Sequence, residues 1–399
     1  MSKKVLHIST IDSGGAYNAT KRLNEMMLQN GIESKIMVRT RTNPDSIAVP
    51  AFNNAFEETV SKVKNVINLM YKKDEVKMDV WGTDLRKHPL VQEADIIMLH
   101  WISTFLAPKQ IYQLSKLDNK QIIFVMHDMW LFTGGCHVDR RCGGYERKCE
   151  GCDRAGAAAA KSFLRKADFI NRSDIRVTGP SHWIVDEANK SSILNGKKAE
   201  YMPNVYNAKV FFKRQNISAI REKYGMNQEK KLILFGAADT GTQNVNKGFG
   251  YLLEALKLTS MDDIQLVVIG NAGGAKEILK DYDAVFPGYI SDENELADIY
   301  SAVDAYVNPS LQESFGYTVC ESMACGTPAV AFAVGGMLDQ IEHKQNGYLA
   351  EFCDSKDLAE GIGFVLDKKD ILSKEAEKTS KRFSYEGAWE KVRAVIFGE

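Results

Sequence analysis

Short, unbroken apolar runs recur along this chain in two series, and they constrain its fold more than any other feature. "VLHIST" (5–10), "SKIMV" (34–38), "DIIMLHW" (95–101), "QIIFVMHD" (121–128) and "IRVTGPS" (175–181) make the first series. "KLILFGAA" (231–238), "IQLVVIG" (264–270), "VFPGYI" (285–290), "DAYVNPS" (304–310) and "PAVAFAV" (328–334) make the second. A strand with one wet face alternates apolar and polar residues. A strand in a parallel sheet covered by helices on both faces has no polar side and reads as continuous. Between the runs the period becomes helical: Phe249, Leu252, Leu253 and Leu256 form one stripe, and Leu296, Ile299 and Tyr300 begin another. Strands alternating with helices, twice over, predict an α/β chain of two doubly wound, Rossmann-like domains. The strand pattern stops near "MPNVYNAKVFFKR" (202–214), which sets the domains at 1–207 and 208–379. A last helix over 380–399 carries Tyr385, Trp389, Val392 and Ile396 on one face.

The 399 residues are too many for one core and suit two domains. A net charge of -1 leaves no basic face for a nucleic-acid partner. No apolar run reaches the roughly 18–20 residues that span a bilayer. The N-terminal "MSKKVLHIST" is a strand rather than a signal peptide, so a cytoplasmic location is expected. In that compartment cysteines serve as thiols or metal ligands more than as disulfides.

Ligands of open parallel sheets sit beyond the C-terminal strand ends. After the first strand, "IDSGGAYNATKRL" places Gly14 and Gly15 before a helix, where backbone N–H groups meet a phosphate at the positive helix end. A purely steric Gly-Gly turn is the alternative. In "FGAADTGTQNVNKGFGYLLEAL", Lys247 stands just ahead of a helix N-terminus, opposed to its dipole unless an anion lies between them. "NPSLQESFGYTVCESMACGTP" (308–328) runs from a strand end into a helix that begins near Gly316 and stops at Gly326. Glu313 lies just outside that helix and Glu321 inside it. Both carboxylates flank the anion position without touching it, and carboxylates accept hydrogen bonds from pairs of sugar hydroxyls. A ligand with a diphosphate between two sugars, a nucleotide sugar, fits this layout.

Two further segments stand out. Cys136, Cys142, Cys149 and Cys152 are spaced C-x5-C-x6-C-x2-C, and the closing pair has zinc-knuckle spacing. A structural zinc site is expected, with His137 a spare ligand; free thiols and disulfides are the alternatives. In "FEETVSKVKNVINLMYKKDEVK" (56–77), Val60, Val63, Ile67, Met70 and Tyr71 share a helical face near lysines. That helix either packs on its own sheet or lies on a membrane surface.

With these motifs in order, the chain resembles the family-four retaining glycosyltransferases of the GT-B fold. "PSLQESFGYTVCESMACGTPAVAFAVGG" looks like their E-x7-E signature, and "SGG", His127–Asp128, Pro180–Ser181, "PNVYN" (203–207), "NKG" (246–248), "PGYI" (287–290) and "NGYLA" (346–350) follow in the family's sequence. The resemblance implies two domains facing a cleft, the first on the acceptor side, the second binding the nucleotide sugar, and the last helix packed back on the first. It assigns Glu313 to the transferred sugar and Glu321 to the ribose. Phe315, Gly316 and Tyr317 would hold the sugar and phosphates, and Lys247 the leaving diphosphate. Gly14 and Gly15 would meet the diphosphate, His127 the donor sugar, and the backbone of Tyr289 and Ile290 the base. The arginine common in this family before the lysine is absent here, where Ala237 stands. The implied reaction is retaining transfer from a nucleoside-diphosphate sugar to a saccharide or lipid-linked acceptor, in bacterial surface polysaccharide synthesis, peripheral to the inner membrane and with no catalytic metal. The alternatives are a nucleotide-sugar epimerase or a phosphorylase on the same fold, or a non-catalytic nucleotide-sugar-binding protein.

Overall fold

Each continuous apolar run forms a strand. The computed structural model describes residues 3–52, 55–70, 72, 76–239, 245–271 and 273–398. The chain divides into two units: Met1–Val205 with Trp389–Glu399, and Tyr206–Ala388. The division falls two residues before the position read from the sequence, and the last segment groups with the first unit from Trp389 onward.

In the first unit, β1 (Lys4–Ile11), β2 (Glu33–Thr40), β3 (Val49–Pro50), β4 (Ile96–Leu99), β5 (Gln121–Val125), β6 (Arg176–Gly179) and β7 (Ala199–Tyr201) form one sheet. Their order is β3-β2-β1-β4-β5-β6-β7, all parallel. In the second, β8 (Lys231–Asp239), β9 (Ile264–Asn271), β10 (Ala284–Gly288), β11 (Ala305–Asn308), β12 (Ala329–Phe332) and β13 (Gly347–Ala350) are ordered β10-β9-β8-β11-β12-β13, also parallel. Each sheet therefore reverses its winding once, between β1 and β4 and between β8 and β11. At such a switch point adjacent loops run in opposite directions and leave a crevice over the strand ends.

The central strands carry the core. All four residues of β4, β11 and β12 are buried. The strands absent from the sequence reading, β3, β7 and β13, have two to four residues each and lie at sheet edges. An edge strand needs no apolar residue on every position, so no continuous run marks it. The 26-residue helix Ser355–Ser380 was also unmarked. It buries Leu358, Ile362, Val365, Leu366 and Leu372 among many charged neighbours, and Asp354 caps it by accepting the N–H of Lys356 at 2.8 Å.

The helix Ala55–Met70 is turned opposite to the packed alternative. Its polar Ser61 and Asn68 are buried. The Asn68 Oδ1 accepts the N–H groups of Val80 at 3.0 Å and Trp81 at 2.9 Å, and its amide donates to the Trp81 carbonyl at 2.7 Å. Val63, Val66 and Met70 are 55%, 58% and 80% exposed, so the apolar stripe faces outward. Ile67 is half-buried, and Tyr71 lies outside the described residues. Among the described residues no helix is long and apolar enough to cross a membrane.

Candidate functional site

In the second unit three strand-end loops meet at the switch point. The loop after β8 ends in Lys247 and Gly248; residues 240–244 lie outside the described residues. Gly248 caps the helix Phe249–Leu258 in the left-handed conformation, φ +65°, and a Cβ there would stand 1.8 Å from the Pro309 carbonyl oxygen. The loop after β11 is tied to it by the Leu311 N–H, which donates to the Asn246 carbonyl at 2.8 Å. Gly316, φ +89°, then opens the helix Tyr317–Ala324. From the third side, after β12, the Gly336 N–H donates to the Glu313 carbonyl at 3.0 Å. Gly335, φ +53°, passes so close that a Cβ would sit 1.9 Å from that same oxygen. Gln340 donates its side-chain amide to the Phe315 carbonyl. The backbone of residues 313–315 is thus held from two sides.

This framework brings Lys247 and Glu313 together: Nζ and Oε2 are 3.2 Å apart, with side chains 39% and 25% exposed. The sequence expects one to meet an anion and the other sugar hydroxyls. The two side chains form an ion pair in which their charges neutralise each other. A pair this exposed contributes only about 0–1 kcal/mol, so a ligand separates it at small cost. The N–H groups at the start of the helix Tyr317–Ala324 add positive potential beside the lysine.

The remaining predicted residues are placed differently. Phe315 is buried, with its ring 5.1 Å from Tyr317 and 5.4 Å from Phe383. Glu321 is only 4% exposed and accepts the Tyr300 hydroxyl at 3.4 Å. Tyr289, 74% exposed, and the half-buried Ile290 follow β10, two strands away from β8.

In the first unit, Gly14 takes φ +83° before the helix Gly15–Gln29, and a Cβ at either Gly14 or Gly15 would meet nothing within 4 Å. The space over this turn is open, as close approach of a ligand requires. His127 follows β5 and is half-buried. Its Nε2 lies 2.9 Å from His100 Nδ1; His100 Nε2 lies 2.8 Å from His7 Nδ1; and His7 Nε2 lies 3.1 Å from Ser34 Oγ. Burial pushes the imidazoles of His7 and His127 down to about 3 and about 4, and that of His100 well below its ordinary value. All three are neutral near pH 7. Sequence reasoning missed His7 and His100. The available signal was a histidine inside or ending a strand otherwise apolar on both faces.

In the cysteine loop, where a zinc site is expected, all four cysteines are free thiols, so the disulfide alternative goes unrealised. Among the described residues no group of three or more His, Cys, Asp and Glu could hold a metal ion. Arg154 donates to Cys136 Sγ at 3.0 Å and the Gly134 N–H to Cys149 Sγ at 3.2 Å, while Cys142 is exposed. Burial pushes the Cys136 thiol up to about 12, and the neighbouring thiols Cys149, Cys142 and Cys152 push it the same way. The spare ligand His137 is 2.6 Å from Asp128 Oδ2.

Residues 216–387 match the family model "Glycosyl transferases group 1". Over 186 residues the chain is 32% identical to D-inositol 3-phosphate glycosyltransferase of Xylanimonas cellulosilytica, covering 43% of each protein. It is 29% identical over 194 residues to GDP-mannose-dependent alpha-mannosyltransferase of Corynebacterium glutamicum, covering 48% of this chain and 44% of that one. The matches span about half the length of these relatives or less. In three dimensions the chain is similar to Anabaena Alr3699/HepE, solved in complex with UDP-glucose, with a TM-score of 0.67, 16% identity, and 99% of this chain and 100% of that one covered. At that identity the likeness shows the fold, two Rossmann-like sheets in one chain.

Proposed function

We propose, from the premise that residues 216–387 form a domain of the glycosyl transferases group 1 family, that this chain moves a sugar from a nucleoside-diphosphate sugar to a saccharide or lipid-linked saccharide. The observation that carries the reading is the Lys247–Glu313 pair over the switch point of the second sheet, beside a glycine-capped helix N-terminus. In the reaction the bond from the anomeric carbon to the diphosphate oxygen breaks, and negative charge grows on the diphosphate. Lys247 and the N–H groups at the helix start stabilise that charge more than they stabilise the bound donor. Glu313, released from the lysine, accepts from the sugar hydroxyls. The acceptor hydroxyl oxygen bonds the anomeric carbon on the face the diphosphate leaves, and its proton passes to the departing phosphate oxygen, so configuration is retained. The UDP-glucose complex of the structurally similar Anabaena protein supports a donor of this chemical class.

Thermal shift tests the donor. One of UDP, GDP or ADP, with its sugars, is expected to raise the melting temperature, since a ligand that binds only the folded state stabilises it by RT ln(1 + [L]/Kd). Glu321→Gln keeps the buried volume but removes the charge, and is expected to weaken that nucleotide about 10-fold or more through loss of a charged hydrogen bond. A stabilised wild type with an unchanged Glu321→Gln would remove the ribose role. No stabilisation by any nucleotide would remove the donor reading.

The outward apolar face of the helix Ala55–Met70 supports a place at a membrane surface, where lipid-linked acceptors of surface polysaccharide synthesis lie. An amphipathic helix binds there by burying its apolar stripe among acyl chains. The protein is expected to float with vesicles of phosphatidylethanolamine and phosphatidylglycerol, and a Val63→Asp, Met70→Asp variant to stay at the bottom of the gradient. Wild-type protein that stays at the bottom would sink this part of the proposal.

A further inference from the structure

We propose that Ser34, His7 and His100 form a fixed polar chain that sets the tautomer of His127, so that His127 meets its ligand with a bare Nδ1, as a hydrogen-bond acceptor. The inference rests on the reading of this chain as a glycosyltransferase only for the identity of that ligand, a sugar hydroxyl.

The four side chains come from neighbouring positions across the first sheet: Ser34 on β2, His7 on β1, His100 just after β4 and His127 just after β5. Their contacts of 3.1, 2.8 and 2.9 Å form one unbranched line. His7, His100 and Ser34 are 0%, 2% and 7% exposed, so water does not complete their hydrogen bonds. A neutral imidazole has one N–H and one lone pair. Three in a row therefore have only two consistent arrangements, with every ring donating toward Ser34 or every ring donating toward His127.

Ser34 decides between them. When the rings donate toward it, its oxygen accepts the His7 Nε2–H. Its own hydroxyl hydrogen then points to Met27 Sδ, 3.7 Å away. Both of its contacts are hydrogen bonds. When the rings donate the other way, the serine hydroxyl is spent on His7, the sulfur contact is empty, and the serine oxygen accepts no hydrogen bond among the described residues. The first arrangement makes one more buried hydrogen bond, and a buried polar group without a partner is costly. It makes all three rings Nε2–H tautomers. His127 then donates from Nε2 to His100 and leaves Nδ1 as a lone pair, with no protein partner in the described hydrogen bonds.

The chain orients and does not carry a proton away. A proton passed along it would leave its charge on His7, fully buried, where the imidazole is held far below its ordinary basicity. His100, His7 and Ser34 are thus positioning residues that act through His127.

The test is long-range proton–nitrogen correlation NMR on the full chain with labelled histidines, assigned by the signals lost in His127→Gln. Wild type is expected to show His127 protonated on Nε2 and bare on Nδ1. His100→Leu removes the acceptor and is expected to give a mixture of tautomers, while His100→Asn keeps an acceptor oxygen in place of Nδ1 and restores the wild-type pattern. Ser34→Ala, a milder change at the far end, is expected to give a mixture as well, and serves if His100→Leu fails to fold. In transfer assays kcat of His100→Leu is expected to fall about 10-fold, with KM for the donor little changed and with recovery in His100→Asn, as for loss of one ligand hydrogen bond. A proton on Nδ1 of wild-type His127, or a tautomer indifferent to both Ser34→Ala and His100→Leu, overturns the proposal. A correct tautomer in a protein that transfers no sugar would leave the chain standing and overturn the enzymatic reading instead.

Discussion

Lys247→Ala is expected to lower kcat for sugar transfer by about 10²- to 10³-fold, the usual loss when one preorganised charge stabiliser is removed from a transition state. The variant should fold. Lys247 makes one ion pair, to Glu313, and both side chains are partly exposed, so its contribution to stability is at most about 1 kcal/mol. The expected signature is a large kinetic loss with a melting temperature within a few degrees of wild type. Lys247→Arg keeps the charge but not the compact ammonium and should recover part of the rate. Release of nucleoside diphosphate, followed under saturating donor, measures the effect. An unchanged kcat in Lys247→Ala would remove the lysine from the leaving-group role, whatever the donor proves to be.

The second large effect is expected from a residue with no side chain. Gly335→Ala places a Cβ where the Glu313 carbonyl oxygen stands, 1.9 Å away, at a backbone angle of +53°. An L-residue in that left-handed conformation costs about 1–2 kcal/mol before any contact is counted. The close contact must then be relieved by moving the loop that carries Glu313, breaking the 3.0 Å bond from the Gly336 N–H to the same carbonyl. Displacing a catalytic group by about 1 Å costs on the order of 10²-fold in rate. Activity is therefore expected to fall about that much, with a stability loss of about 2–4 kcal/mol in urea unfolding of the second unit. Gly250→Ala is the control. It lies in the helix Phe249–Leu258 and its Cβ would meet nothing within 4 Å, so neither rate nor stability should fall. Equal behaviour of the two variants would show that Glu313 is not held by the glycine contact.

The sheets were legible because their signal is local. β4, β11 and β12 are buried at every position, so each had to be apolar nearly throughout, and a few adjacent residues suffice to show it. The edge strands β3 and β7 lack that requirement and left no such mark. Of the candidate site, Lys247, Glu313 and Gly316 could be named from their places after a strand or at a helix start. The partners that hold them could not. Gly335 and Gly336 are ordinary glycines until β12 is known to lie beside β11. The cysteine spacing speaks only of ligand types and order; that Arg154 and the Gly134 N–H donate to two of the sulfurs comes from the folded loop.

By itself, then, the sequence determined the class of fold, the positions of the central strands, and which loops lie at strand ends, since periodicity and burial act over a few residues. Tertiary structure alone decided the rest. It paired Lys247 with Glu313 across 66 residues, lined up His7, His100 and His127 from three strands, and turned the apolar stripe of Ala55–Met70 outward by burying Asn68. The physical reason is the same in each case. Which side chains meet across a sheet depends on strand order and register, and which face of a helix is buried depends on the hydrogen-bond partners the rest of the chain presents to it. Neither is a property of neighbouring residues.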